Sequence, residues 1–245
     1  MQGLLSLTPR LSSLFEIFST SEQDTIMTHE SGTISVIPLT GIPEVKENDN
    51  IPELITTALA EQSLTLREGD ILVIAQKIVS KAEGRIVDLT KVEPSQFAMT
   101  LSKEISKDPR MIEVILGETT KIIRMDQRKP EKGRLIVETR GGIISANAGV
   151  DASNVSGGDK VTLLPVDSDV SASEISAGLR DLIGIDIAVI ITDTVGRPWR
   201  EGLVDIAIGC SGLIPLKDYR GQTDSRGFEL HATEMAVADS IAASA

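Results

Sequence analysis

The chain has 245 residues, of which 41% are hydrophobic, 24% are charged and only 2% are aromatic, and its net charge is −12. It is long enough to bury a substantial core, and its acidic balance without any Lys/Arg block argues against a nucleic-acid partner. Cys210 is the only cysteine and no apolar run is long enough to span a bilayer, so we expect no internal disulfide, a reducing cytoplasmic setting and no membrane partner.

The first 32 residues differ from the rest of the chain because they are apolar, rich in serine and poor in acidic residues. They lack the positive start of a signal peptide, and Pro9 and Arg10 interrupt the apolar stretch. We interpret residues 1–32 as an N-terminal extension, either a short accessory helix or a consequence of start-site choice. Residues 33–245 are then the functional domain.

Strand and helix patterns are mixed from Thr33 onward. Apolar runs rich in β-branched residues predict strands, and apolar residues at helical spacing predict helices, with Asn50 capping the first and Gly184 ending the fourth. The predicted strands cover residues 33–39, 70–80, 121–125, 134–140, 142–150 and 185–193. The predicted helices cover residues 51–62, 94–108, 109–119, 168–184 and 231–245. Because the two types do not alternate strictly, the predicted fold class is α+β, with mixed or antiparallel sheets and flanking helices.

Two aspartates stand out along the chain. Asp193 ends the apolar run of residues 185–192, and Asp151 lies in a turn-forming segment beside Asn154. A carboxylate at a strand end can hold a divalent cation, and Mg²⁺ is usually bound by one or two carboxylates together with substrate phosphates. The alternatives are structural: an Asx-turn at Asp151, and a helix N-cap or turn start at Asp193.

Two lysines lie at the end of the buried strand predicted over residues 70–80. Lys77 and Lys81 lie among small residues at its exit, where ammonium groups can neutralise nucleotide phosphates. The alternative is a pair of solvated lysines on a loop. A Gly-Ile-Pro turn at residues 41–43 can lie against a base or ribose, but such a turn is common and is by itself interpreted as structural.

The region before the C-terminus combines glycines with cationic residues. Arg197, Arg200 and Arg220 are suited to binding carboxylates or phosphates, and the only tryptophan, Trp199, lies between two of them. His231 is predicted at the polar start of the last helix. With one other histidine in the chain, a histidine metal site or a Ser/His/Asp triad has little support, and neither a P-loop nor a GxGxxG fingerprint occurs.

Several ordered segments together resemble a known family, the coenzyme F420-0:L-glutamate ligases, also called F420 gamma-glutamyl ligases. The resemblance extends from about Ile34 to the last residue, and so many segments in order are far more specific than any single motif. They are IPLTGIPEVKENDN, GDILVIAQKIVSKAEGR, ANAGVDASNV, LLPVDSD, ITDTVGRPWREG, DIAIGCSGL and DYRGQTDSRG.

The resemblance implies a GTP-dependent enzyme that adds L-glutamate, by a gamma-linked amide, to the deazaflavin coenzyme F420-0 through an acyl phosphate. It also implies an F420 gamma-glutamyl ligase-like fold, an intertwined homodimer, and Mg²⁺ or Mn²⁺, with K⁺ as a further cation. Asp151 and Asp193 correspond to metal ligands, and Thr194 to a ligand of a second metal. The implied GTP contacts are Ile42, Pro43, Glu44, Val45, Gln76, Lys77, Lys81 and Asn154. No catalytic residue is assigned.

The resemblance further implies that the family domain continues beyond the last residue of this sequence, into a glycine-containing loop with another acidic metal ligand. Two other functions are compatible with the same residues. One is a metal-dependent phosphohydrolase that uses the two aspartates, and the other is a truncated, non-catalytic paralogue that binds nucleotide.

Overall fold

A computed structural model describes residues 5–8, 34–126, 133–153 and 158–245. These residues form an α+β fold of several small sheets with flanking helices, as predicted. The strands are β1 Leu5–Thr8, β2 Ile37–Leu39, β3 Ile71–Ala75, β4 Ile86–Asp88, β5 Thr119–Asp126, β6 Arg134–Thr139, β7 Ile144–Ala146, β8 Lys160–Thr162, β9 Ala188–Gly196, β10 Leu203–Ser211, β11 Leu216–Asp218 and β12 Glu234–Ala236. The α-helices are α1 Ile51–Glu61, α2 Gln76–Ala82, α3 Gln96–Ile105, α4 Pro109–Gly117, α5 Ser168–Ile183 and α6 Val237–Ala242.

The largest sheet has the strand order β10-β9-β3-β1-β2. Strands β3 and β9 are parallel, with Ile71 opposite Ala188 and Ala75 opposite Thr192, whereas the other neighbours are antiparallel. Strand β1 lies within the predicted N-terminal extension, most of which is outside the described residues, so the boundary at residue 33 stays a prediction. Because β3 and β9 run in the same direction, their carboxyl ends meet at one edge of the sheet.

Helices cover both faces of this sheet. Helices α1 and α5 pack on one face, where Val189 and Ile191 of β9 are buried. Helix α6 packs on the other face, against Ile190. Side chains therefore alternate along β9 as in a regular strand, and the same alternation decides which way the polar residues at its end point.

A second core lies beside the first. Helices α3 and α4 pack against the three-stranded sheet β5-β6-β7, and the buried Ile105, Ile112 and Val137 belong to this cluster. The two-stranded ladder of β4 and β8 connects the second core to α2, since β4 begins four residues after that helix ends. The chain between β7 and β8, which carries Asp151, therefore approaches the edge of the main sheet from this second core.

The predicted ends of two helices are confirmed. The side chain of Asn50 accepts a hydrogen bond from the Glu53 N–H at 3.2 Å and caps α1. Gly184 ends α5 with a φ of +76°, a left-handed conformation that glycine adopts without steric cost. No helix in the described residues is long and apolar enough to cross a membrane.

Four sequence predictions of secondary structure are wrong. The strand predicted over residues 142–150 is limited to β7, because Asn147 and Ala148 adopt a left-handed turn conformation. Residues 76–80 were predicted as strand but start α2, because Val79 at helical spacing packs into the first core; a short apolar run does not distinguish strand from helix. Strand β9 continues past Asp193 to Gly196 because β10, which the glycine-rich pattern did not predict, pairs with it. The helix predicted over residues 231–245 is reduced to α6, since Glu234–Ala236 pairs with β11.

Candidate functional site

Asp193 lies at the edge where β3 and β9 end together. It directly follows Thr192, the last β9 residue paired with β3, and α2 begins just after Ala75 on the neighbouring strand. By alternation, its side chain is on the α1/α5 face together with Ile191. The structural alternatives for Asp193, a helix cap and a turn start, are therefore wrong. Asp193 lies within β9, at the point where the pairing with β3 ends.

A strained turn presents Asp151 to the same edge. Asn147, Ala148 and Gly149 have φ values of 55°, 55° and 70°, and a left-handed conformation costs a non-glycine residue about 1–2 kcal/mol. A Cβ on Gly149 would lie 2.6 Å from the Leu164 side chain, so the turn packs closely. Asp151 then exchanges two backbone hydrogen bonds with Thr162, at 3.1 and 2.8 Å, which fix its position.

Lys77 and Ser153 hold the Asp151 carboxylate. The Lys77 ammonium lies 2.6 Å from Asp151 Oδ2 and donates to Ser153 Oγ at 2.6 Å. Ser153 donates to both carboxylate oxygens, from its N–H and its hydroxyl, each at 2.8 Å. Burial alone would raise the pKa of Asp151, but the hydrogen bonds from Lys77 and Ser153 outweigh it and hold the pKa below its ordinary value.

The pKa of Asp193 is shifted in the opposite direction from that of Asp151. Burial raises the pKa of Asp193 to about 6, and the negative charges of Asp151 and Asp205 act in the same direction. The hydrogen bond from the Thr194 N–H and the charge of Lys77 oppose this rise. Two carboxylates thus lie near enough to repel each other, and of these two the Lys77 ammonium forms its described ion pair with Asp151.

This pair of carboxylates fits the ligand set of a hard divalent cation. The described residues contain no group of three or more His, Cys, Asp or Glu that could hold a metal ion, so Asp151 and Asp193 are the carboxylates that these residues offer to such a site. Mg²⁺ is commonly held by one or two carboxylates, with waters and substrate phosphates completing its coordination. A cation held by these residues would also offset the repulsion from Asp151, which adds to the effect of burial on the Asp193 pKa.

The hydroxyl of Thr194 does not join this group. Its Oγ1 donates a hydrogen bond to Asp205 Oδ1, across the β9–β10 pair in which these two residues are opposite each other. Because Thr194 follows Asp193 in a regular strand, the two side chains lie on opposite faces of the sheet. The resemblance places Thr194 at a second metal, and that role stays a prediction. Asn154 lies outside the described residues.

A second ion pair joins the residue 42–45 segment to α2. The Lys81 ammonium lies 2.5 Å from Glu44 Oε1, with 10% of the lysine side chain exposed against 70% of the glutamate side chain. Lys77 and Lys81 therefore both belong to α2 rather than to a solvated loop. Pro43 and Glu44 of the segment are exposed and Ile42 packs partly against the first core.

Besides Lys81, two residues predicted to contact GTP have buried side chains. Val45 is part of the core, and Gln76 is buried and accepts a hydrogen bond from Ser80 Oγ at 2.8 Å. These side chains are used in packing and in an internal hydrogen bond, so a ligand would meet mainly backbone at both positions. The roles of the segment and of Gln76 in nucleotide binding stay predictions.

The glycine-rich C-terminal region contributes nothing to the carboxylate pair in the described residues. Arg220 binds Asp218 at 2.6 Å and Glu234 at 3.4 Å, and Arg197 donates to the Glu201 carbonyl. His231 is not on a helix; it is exposed in the chain before β12. Sequence analysis also missed Asp205, which could have been found only by recognising that β10 pairs with β9.

Comparison with known proteins gives consistent matches. A sequence-family model described as F420-0:Gamma-glutamyl ligase matches residues 41–245. A Methanopyrus kandleri protein named coenzyme F420:L-glutamate ligase is 46% identical over 213 residues, which cover 87% of this chain and 80% of that protein. Proteins of the same name from Methanothermobacter thermautotrophicus and Methanocaldococcus jannaschii are 46% and 42% identical, covering 86% and 81% of this chain and 82% and 75% of their own lengths.

Proposed function

The chain belongs to the F420-0:gamma-glutamyl ligase family, and we propose that it joins L-glutamate to coenzyme F420-0 at the expense of GTP. The observation that carries the proposal is the Asp151–Lys77–Asp193 group at the shared end of β3 and β9. It combines two carboxylates with a fixed ammonium, as transfer of a phosphoryl group requires. The names of the relatives supply coenzyme F420 and L-glutamate as the two compounds that are joined, and the family description supplies the form F420-0.

The reaction requires activation because a carboxylate is a poor electrophile for an amine. Transfer of the γ-phosphoryl group of GTP to the F420-0 carboxylate would form an acyl phosphate and GDP. The neutral amine of glutamate would then attack the acyl carbon, forming the amide bond and releasing inorganic phosphate and a proton. In phosphoryl transfer the protein mainly positions groups and stabilises charge.

Each residue of the site has a proposed role in that scheme. Asp151 and Asp193 would hold Mg²⁺ or Mn²⁺, which, when bound, neutralises charge on the phosphate oxygens. Lys77 and Lys81 would provide point charges for the same oxygens from one helix. Because Glu44 binds Lys81, the residue 42–45 segment lies beside α2, where it can contact the nucleotide.

The direct test is mass spectrometry of F420-0 incubated with the protein, GTP, L-glutamate and Mn²⁺. We expect the coenzyme to gain the mass of one glutamyl unit, with GDP and phosphate released in equal amounts. Phosphate release without a glutamyl product would instead indicate a metal-dependent phosphohydrolase. Binding of GTP without turnover would indicate a non-catalytic nucleotide-binding protein.

We also propose that the protein is an intertwined homodimer, because residues 212–236 form an exposed arm. Within the described part of the chain, strands β11 and β12 pair only with each other, and a two-stranded ribbon is marginally stable alone in water. The arm nevertheless exposes large apolar side chains that a second copy could cover. These are Ile214, Leu216, Phe228 and Met235, between 41% and 74% exposed.

Charge on the arm is expected to separate the dimer. Light scattering after gel filtration should give the mass of two 26.2 kDa chains for the unmodified protein, and of one chain for the double variant Leu216→Asp, Phe228→Asp. Burying a carboxylate without a partner costs more than the apolar contacts contribute. Leu182→Asp, on the exposed side of α5, is the control and should stay dimeric. A monomeric unmodified protein would contradict the proposal.

A further inference from the structure

A cleft of about 310 Å³ is bordered by the turn that leads to Asp151. Its walls come from the turn after β6, which carries Arg140, from the loop that leads into α5, and from Ile208 of β10. Ala148, in the strained turn that presents Asp151, and Leu164 also line it. The turn that leads to Asp151 therefore forms part of the cleft wall, although the Asp151 side chain itself does not line the cleft.

The cleft carries two cationic side chains with different surroundings. Arg85 donates to the Leu164 carbonyl at 2.9 Å and pairs with Glu118 at 2.7 Å, so its position is set by the protein. Arg140 is exposed and forms no hydrogen bond or ion pair with the residues that the structure describes. It is thus a cation available to a ligand.

Three carboxylates in the cleft each use one oxygen within the protein. Asp167 Oδ1 accepts the N–H groups of Asp169 and Val170 and caps α5, and Asp169 Oδ1 accepts the Cys210 N–H at 2.8 Å. Glu118 uses Oε2 for Arg85. The second oxygen of each accepts no hydrogen bond from the described residues, so each can accept one from a ligand cation.

We propose that this cleft binds the L-glutamate that the ligase adds; the proposal rests on the function proposed above. Glutamate carries two carboxylates and one ammonium: one carboxylate can pair with the free Arg140, and the ammonium can donate to the spare carboxylate oxygens. A volume of about 310 Å³ is at the lower end for ligand pockets, as expected for an amino acid. The three carboxylates favour a ligand that also carries an ammonium group, which a nucleotide triphosphate lacks, and the described lining residues include no aromatic side chain on which a deazaflavin ring could stack.

The position of the cleft suits the acceptor of the reaction. Ile208 lines it from the β10 strand that pairs with β9, and α5, whose start forms another wall, packs on the sheet face to which Asp193 points. Ala148 precedes Asp151 by only three residues. An amino acid bound here lies on the side of the sheet where the two candidate metal ligands meet.

Arg140→Ala tests the assignment in two assays. In the ligase assay, we expect the KM for L-glutamate to rise about 10- to 100-fold, the range expected for loss of one charge-assisted hydrogen bond, with the KM values for GTP and F420-0 within twofold of the unmodified protein. In calorimetric titration of L-glutamate, with GDP and Mg²⁺ present, the affinity should fall by a similar factor. Arg140→Lys should recover part of the loss because it keeps the charge.

Arg124→Ala is the matched control, since Arg124 is an exposed arginine on the same three-stranded sheet but does not line the cleft. An unchanged KM and affinity for L-glutamate in Arg140→Ala would overturn the assignment. A rise confined to the KM for F420-0 would also overturn it, because it would assign the cleft to the coenzyme. Arginine-dependent binding of glutamate without any ligase product would support the cleft and reject the proposed function.

Discussion

Asp193→Asn is expected to lower ligase turnover about 10³-fold, because the change removes one of two carboxylates that would hold the cation, and such a loss corresponds to about 4 kcal/mol of transition-state stabilisation. The same change should stabilise the metal-free protein. Asp193 has a pKa of about 6 against an ordinary 3.8, so keeping it ionised at pH 8 costs the fold up to about 3 kcal/mol. Asparagine has no such cost.

The raised pKa of Asp193 makes the stability of the metal-free protein depend on pH. Between pH 4 and pH 6 the folded protein holds a proton on Asp193 that the unfolded chain has lost, so the free energy of unfolding falls as the pH rises through this window and then levels off. Denaturant unfolding in metal-free buffer should show that fall for the unmodified protein and a smaller one for Asp193→Asn.

The matched control for this pH signature is Asp186→Asn. The Asp186 side chain is 80% exposed and lies just before β9, so its replacement should leave both turnover and the pH profile unchanged. If Asp193→Asn keeps full turnover at saturating Mn²⁺, Asp193 is not a metal ligand.

Lys77→Met should raise the KM for GTP about 10- to 100-fold, as expected for loss of a charge-assisted contact worth about 1.5–3 kcal/mol. The lysine is the ammonium that bonds to Asp151, and the change leaves two carboxylates that repel each other without it. Fluorescence titration with a GTP analogue measures the affinity directly. Affinity in the unmodified protein should also weaken with added salt more steeply than in the variant, since one charge contact is gone.

Lys103→Met is the control for Lys77→Met. Lys103 is an exposed lysine near the end of α3, the helix that packs into the second core. Its replacement should not change the KM for GTP. A Lys77→Met protein with unchanged GTP affinity and a markedly lower melting temperature would show that the lysine only holds the Asp151 turn in place.

Sequence analysis predicted most of the helices and strands, and it identified Asp151 and Asp193 as candidate metal ligands. Helices such as α1 and α5 were predictable because their caps, Asn50 and Gly184, act through local hydrogen bonds and backbone conformation. Strand β10 was not, because its evidence is pairing with β9, a contact between different parts of the chain. Helix α2 was mistaken for strand for a related reason: burial of Val79 in the first core, rather than local propensity, determines its conformation.

The candidate site divides in the same way. The sequence by itself determined the α+β class, the family, and the choice of Asp151, Asp193 and the two lysines as polar residues near strand ends. Only the tertiary structure decided that Lys77 pairs with Asp151, that the Thr194 hydroxyl lies on the opposite face from Asp193, and that Arg140 lines a cleft bordered by the turn that leads to Asp151. The physical reason is that ion pairs, strand faces and cavities depend on distances between segments far apart in the chain, which local patterns do not encode.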